Sequence, residues 1–219
     1  MDEQKIDFTI TWKSLLKFSL PTILSMILMN VYSIVDQLFV SNFLGMDALS
    51  SVSIASPFLA IALAIGTMIS TGGVAIVSSL LGEKKRERAR GLFSFYMLFA
   101  FLISTLFCII GILFREGILK LMGADSTLLP LCMEYALPIF LLIPFAMGSI
   151  LLQTFFVAQG KPGLGFVLSV SGGVANILLD YLFMGALGMG PAGAALGTTL
   201  SQALSVLLAL AVIRRRRLG

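Results

Sequence analysis

Histidine is absent from the 219 residues, so the usual imidazole metal ligand and the commonest acid–base catalyst are both missing. Only two cysteines occur, Cys108 and Cys132, each in or beside an apolar run and without metal-type spacing. They read as small buried residues. Charge is scarce as well: 12% of residues are charged against 58% hydrophobic, with a mean hydropathy of +1.02. That balance excludes an ordinary soluble domain. No nucleophile–base pair or metal motif stands out, which disfavours an enzyme. A cleaved leader is not expected either. Met1 to Asp7 is mixed in charge, and the first apolar run is too long for a signal h-region, so the first helix is expected to stay in the mature protein.

What is present is long apolar runs separated by short polar punctuation. They predict an all-α membrane protein, a six-helix transmembrane bundle over residues 1–219, with spans at roughly 14–40, 48–81, 92–114, 128–159, 163–184 and 194–213. Trp12, Lys13 and Lys17 suit the membrane interface before the first span, and Pro21 falls in its first turns, where lost backbone bonding is cheapest. Tyr32 and Asp36 share one face of that helix; Asn30 and Gln37 share another. Gly45 to Asp47 make a tight turn into the second helix, which carries Pro57 as an expected kink and a stretch from Gly66 to Gly73 rich in Gly, Ser and Thr. A basic loop, Gly82 to Gly91, precedes a third helix with nothing chemically distinctive. A loop from Arg115 to Thr127 leads to a fourth helix, which Pro130, Pro138 and Pro144 should bend. Glu134 reads as interfacial. Gln153 is a candidate cavity residue, although a lone Gln also commonly bonds a neighbouring helix.

The fifth apolar run, Gly163 to Met184, carries Asn176 and Asp180 in the order Asn-Ile-Leu-Leu-Asp. Four-residue spacing puts the amide and the carboxylate on one helical face. A carboxylate in hydrocarbon is costly and by default marks an ion or substrate path. The competing reading is an Asp that pairs with a neighbouring helix only to lock packing.

Orientation follows from the basic residues. Lys5, Lys13, Lys17, the basic residues from Lys84 to Arg90, Lys161 and Arg214 to Arg217 fall on one side, and only Arg115 and Lys120 on the other. A multi-pass protein of the plasma (cytoplasmic) membrane with both termini cytoplasmic is expected, and the basic pI needs no nucleic-acid partner. In that topology Asp36, Asp180 and Thr198 each lie roughly 7–12 Å below the outer surface, counting about 1.5 Å per residue. With Asn176 one turn deeper they would form an all-oxygen cluster suited to hard monovalent cations or protons.

These motifs together resemble the amino-terminal half of a multidrug and toxic compound extrusion (MATE) transporter. The residues that carry the likeness are Pro21, Val35 to Val40, Leu44-Gly45, Ala48-Leu49, Gly72 to Gly82, Ala158 to Pro162, Asn176 to Asp180 and Gly193 to Thr198. They span nearly the whole chain in family order. The resemblance implies cation-coupled export of amphipathic, often cationic organic compounds by two six-helix lobes facing a central cavity. It also implies a coupling-cation site (Na⁺ or H⁺, with no other cofactor) at Asp36, Asn176, Asp180 and Thr198. Tyr32 would line the cavity, with Asn30, Gln37 and Gln153 as further candidates. The second lobe is absent, so a missing carboxy-terminal half or a second copy is the expected partner, beside membrane lipid and the small-molecule substrate.

Two nearby carboxylates cannot both stay ionised cheaply in a low-dielectric site. Cation or proton entry would neutralise them and let the first helix repack, bending at Pro21 or near the polar segment. The alternatives are a lipid or polysaccharide-precursor flippase, whose cavity should be cationic where this one is acidic, and a non-transporting membrane assembly partner.

Overall fold

The computed structural model describes the backbone of residues 11–217 and the side chains of residues 11–215. The charged lead Met1 to Asp7, including Lys5, lies outside the described residues, as do the last two residues. The elements are α1 (Trp12–Leu44), α2 (Met46–Gly82), α3 (Arg86–Leu113), α4 (Arg115–Leu121), α5 (Leu129–Ala158), α6 (Pro162–Asp180), a π-helical turn (Tyr181–Ala186) and α7 (Gly190–Arg217). Six of them are long and apolar enough to cross a membrane: α1, α2, α3, α5, α6 with its π turn, and α7.

The ends of these helices have local causes. Thr11 opens α1 with a capping box, its hydroxyl accepting from Ser14 N while Ser14 Oγ accepts from Thr11 N, each at 3.3 Å. Gly45 separates α1 from α2 at φ +88°, a backbone region that a side chain would strain. The stretch 115–127, expected as loop, contains the short α4. Its reason is a two-way amphipathic turn: Glu116 and Lys120 pair at 2.6 Å on the wet side, and Leu119 is wholly buried on the other. The basic stretch 82–91 is also only partly loop, because α3 already begins at Arg86.

The core is organised on α5, which packs most extensively against α7 and α2 and then against α3. Ile139, Phe140, Leu142, Ile143, Met147, Leu151 and Leu152 are all buried along it. Pro138 and Pro144 lie inside this helix, which stays continuous from Leu129 to Ala158. One of its neighbours is tied in directly, since Thr199 Oγ1 of α7 donates to Pro138 O at 3.0 Å. Small residues set the close approaches: Gly66 faces Met147, Gly73 faces the Tyr96 ring, and Gly111 faces Phe140 and Phe58.

At the edge of the bundle, α1 rests chiefly on α6. Only Ser25 and Val40 of its described residues are buried. Pro21 sits within the helix, and Ser25 Oγ donates to Pro21 O at 2.9 Å. The remaining faces of α1 present Leu16, Met26, Ile27 and Ile34 outward.

Candidate functional site

Where α1, α6 and α7 meet, their periodicities bring polar groups to one place. Tyr32 and Asp36 project from one face of α1, and Gly173, Asn176 and Asp180 from one face of α6, at successive three- and four-residue steps. Thr198, Ser201, Gln202 and Ser205 do the same on α7. Around them is a cavity of about 210 Å³ whose wall includes Tyr32, Asp36, Gln153, Asn176 and Thr198.

Asp180 lies behind that wall, 0% exposed. Its carboxylate is within hydrogen-bonding reach of the Asp36 carboxylate, and Asn176 stands beside it. Yet both carboxylates are acceptors. Asp36 Oδ1, Asp180 Oδ1 and Asp180 Oδ2 are buried and receive no hydrogen bond from any described residue. Asn176 Nδ2 stands between this pair and α7, donating to Thr198 Oγ1 at 3.4 Å. Thr198 Oγ1 in turn donates to Ala194 O of its own helix at 3.2 Å.

An unpaired buried charge costs several kcal/mol, so two facing carboxylates with three unsatisfied oxygens call for a positive partner between them. The donor set is two carboxylates, an amide oxygen and a hydroxyl. Hard cations and protons match it, and soft metals do not. Among the described residues no group of three or more His, Cys, Asp or Glu side chains is arranged to hold a metal ion.

Tyr135 is a residue the sequence reading missed. It lies on α5, 7% exposed, close enough to both carboxylates to feel their charge. No spacing rule links it to Asp36 or Asp180, because its position depends on how α5 is threaded past α1 and α6. The inner part of the cavity was also only partly legible. There Ser169 Oγ donates to Gln153 Oε1 at 3.0 Å and Gln153 Nε2 donates to Ser149 Oγ at 2.8 Å, a neutral hydrogen-bonded chain linking α6 and α5.

Asn30 and Gln37 stand apart from this cluster. Asn30 Nδ2 donates to Met26 O at 2.8 Å and Gln37 Nε2 to Ser33 Oγ at 3.4 Å, both on exposed faces of α1. Neither is among the cavity-lining residues. At 100° per residue they fall away from the Tyr32–Asp36 face and so stand outside the wall of this cavity.

Directly after Asp180 the helix widens into the π turn, closed by Leu187 N donating to Leu182 O at 2.9 Å. Such single wide turns recur at functional sites. Here it lies between the buried carboxylate and the start of α7.

The family model MatE matches residues 21–182. A probable multidrug resistance protein, YoeA of Bacillus subtilis (strain 168), is 30% identical over 212 residues, covering 94% of this chain and 45% of that protein. The multidrug export protein MepA of Staphylococcus haemolyticus (strain JCSC1435) is 28% identical over 217 residues, covering 98% of this chain and 48% of MepA. Among solved structures, a multidrug resistance MATE family transporter of the MOP superfamily in an outward-facing conformation superposes with a TM-score of 0.83 at 24% identity. The match covers 94% of this chain and 45% of that one. A MATE crystal structure in the bent conformation gives a TM-score of 0.83 at 22% identity over 90% of this chain. The chain thus spans about half the length of the curated relatives it matches.

Proposed function

The chain belongs to the MatE family, and from that premise we propose that it forms the amino-terminal lobe of a cation-coupled antiporter that exports amphipathic, often cationic organic compounds. It is a transporter lobe rather than an enzyme, and it sits in the membrane as a multi-pass helical bundle. The observation that carries the coupling proposal is the facing pair Asp36 and Asp180, with three buried oxygens that no donor satisfies. A coupling cation, Na⁺ or H⁺, supplies the missing positive charge, with Asn176 and Thr198 completing the oxygen set. Tyr32 and Gln153 line the adjoining cavity, which receives the organic substrate or its leading end.

Cation entry neutralises the pair and lets α1 settle against α6; cation loss restores the repulsion and loosens that seam. Because Asp36 lies on a helix that rests chiefly on α6, a local charge change can move a whole helix. A second six-helix lobe, supplied by further chain or by a second copy, closes the substrate path. Both ends of this lobe lie on the cytoplasmic side, as the distribution of Lys and Arg supports. Single cysteines at Asp47 and Asp125 should then react with an impermeant reagent from outside, while one at Lys85 should not. Outside labelling at Lys85 would reverse the orientation.

The test of coupling is substrate efflux from proteoliposomes of the complete transporter under an imposed Na⁺ or pH gradient. Asp36→Asn and Asp180→Asn should each bring gradient-driven efflux to background while expression holds, since an amide keeps the shape but can neither take a proton nor offer a full negative charge. Thr198→Ala, which deletes one neutral oxygen, should weaken cation dependence by only about two- to tenfold. Normal efflux from both Asp variants would defeat the proposal.

A further inference from the structure

Two glycines lie where the cation site is held together. Gly173 is buried on α6, and the Tyr32 ring of α1 lies across its backbone so closely that a Cβ at position 173 would collide with three ring atoms. Gly197 on α7 bears the same relation to Asp180. A Cβ there would run into Asp180 Oδ1, and would stand only 3.2 Å from both Asp180 Cγ and Asp180 N. Rotation of the carboxylate would free Oδ1 only by moving it from its place in the site, and Asp180 N at 3.2 Å would still have to give by a few tenths of an ångström.

The register of the helices turns these two contacts into a spacing device. Tyr32 is one turn before Asp36 on α1, while Gly173 is two turns before Asp180 on the matching face of α6. The depth to which the Tyr32 ring seats on Gly173 thus fixes how near Asp36 comes to Asp180. The space above Gly197 fixes where the Asp180 carboxylate rests, next to Thr198.

The geometry points to Gly173 and Gly197 as positioning residues that set the separation of the Asp36–Asp180 pair and thereby its cation affinity. Neither glycine touches the cation. Each acts through a side chain that does or through the helix that carries it. Neither has a positive φ, so their need for glycine is one of room rather than of backbone conformation. The inference rests on the cation-site reading above.

The test uses thermal unfolding of the purified full chain, followed against Na⁺ concentration at fixed pH and against pH without Na⁺. A cation that binds only the folded chain raises its unfolding temperature with concentration. Wild type should show this dependence on one of the two cations. Gly173→Ala and Gly197→Ala should each move its midpoint by about ten- to a hundredfold, the range found when residues supporting metal ligands are altered.

Tyr32→Ala combined with Gly173→Ala gives the new methyl the room the ring occupied, so the midpoint should return toward that of Tyr32→Ala alone. A purely structural glycine would lower the unfolding temperature without moving the midpoint. If Gly173→Ala is too unstable to measure, recovery of a folded, cation-responsive chain in the double variant supports the seat, and failure to recover overturns it. Wild-type midpoints in both alanine variants would overturn this inference alone. Absence of any cation dependence in wild type would overturn the cation-site reading, and the inference with it.

Discussion

Helices α5 and α1 are similar in length, 30 and 33 residues, and both are apolar enough to cross a bilayer, yet they are held in opposite ways. Two-thirds of the most apolar stretch of α5 is buried, against 6% of that of α1. Helix α5 has neighbours on most sides and carries a run of fully buried aliphatic and aromatic side chains. Helix α1 leans chiefly on α6, with smaller contacts to α2, the π turn and α7, and presents much of its surface outward. Asp36, one of the two carboxylates of the proposed cation site, is on the loosely held helix. Its partner Asp180 is on a helix packed against the core. Within a membrane, lipid is as apolar as leucine, so packing and polar contacts, not water exclusion, decide which helix is fixed. By that criterion α5 is the frame, and α1 is the helix on which the proposed coupling would act.

The comparison breaks most readily at its rigid end. Phe140→Ala on α5 removes a fully buried ring whose centroid is 4.7 Å from that of Phe58. It should cost about 2–4 kcal/mol in equilibrium unfolding, mainly the cavity part of an aromatic truncation. Gly111→Ala attacks the same contact from α3, since its methyl would stand 2.8 Å from Phe140 Cδ2 and 3.0 Å from Phe58 Cε1. Overpacking of this kind should cost about 1–3 kcal/mol in the same assay.

On the responsive side, Asp36→Asn in Na⁺-free buffer at alkaline pH should leave stability unchanged or raise it by about 1–2 kcal/mol, because an unpaired buried charge is replaced by a neutral amide. A clear loss of stability there would make Asp36 a structural residue. Smallest of all, Ile34→Ala on the outward face of α1 should change stability by no more than about 0.5 kcal/mol. A larger loss would mean that the outward face of α1 is covered by a partner.

How far the sequence carried the fold and the site depended on whether a feature was local. The apolar runs could be read as six crossing helices because length and composition alone define them. The three- and four-residue steps from Tyr32 to Asp36 and from Gly173 through Asn176 to Asp180 are helix geometry, so shared faces were readable before any packing was known. Convergence of Asp36, Asp180 and Thr198 followed from depth in an up-and-down bundle. Features that depend on which helix lies against which were not readable. Tyr135 is buried near the carboxylates because α5 is the centre of the bundle, and its sequence neighbours give no sign of that.

The glycine seats are of the same kind. Gly172-Gly173 and Gly197 look like any small residues of a membrane helix until Tyr32 and Asp180 are found against them. Asn30 and Gln37 illustrate the converse: polarity within a span suggested a cavity, but helical phase turns both away from it. The short α4 escaped notice because seven residues are too few for periodicity to register.

The most direct measurement is a count of the cation itself: Na⁺ bound per chain and protons exchanged per chain, across a pH titration, for wild type and for Asp36→Asn/Asp180→Asn. If the facing carboxylates form the coupling site, wild type takes up a cation, Na⁺ or H⁺, in a saturable step that disappears in the double variant while the chain stays folded. An equal saturable uptake by both chains would place the cation elsewhere and contradict the site.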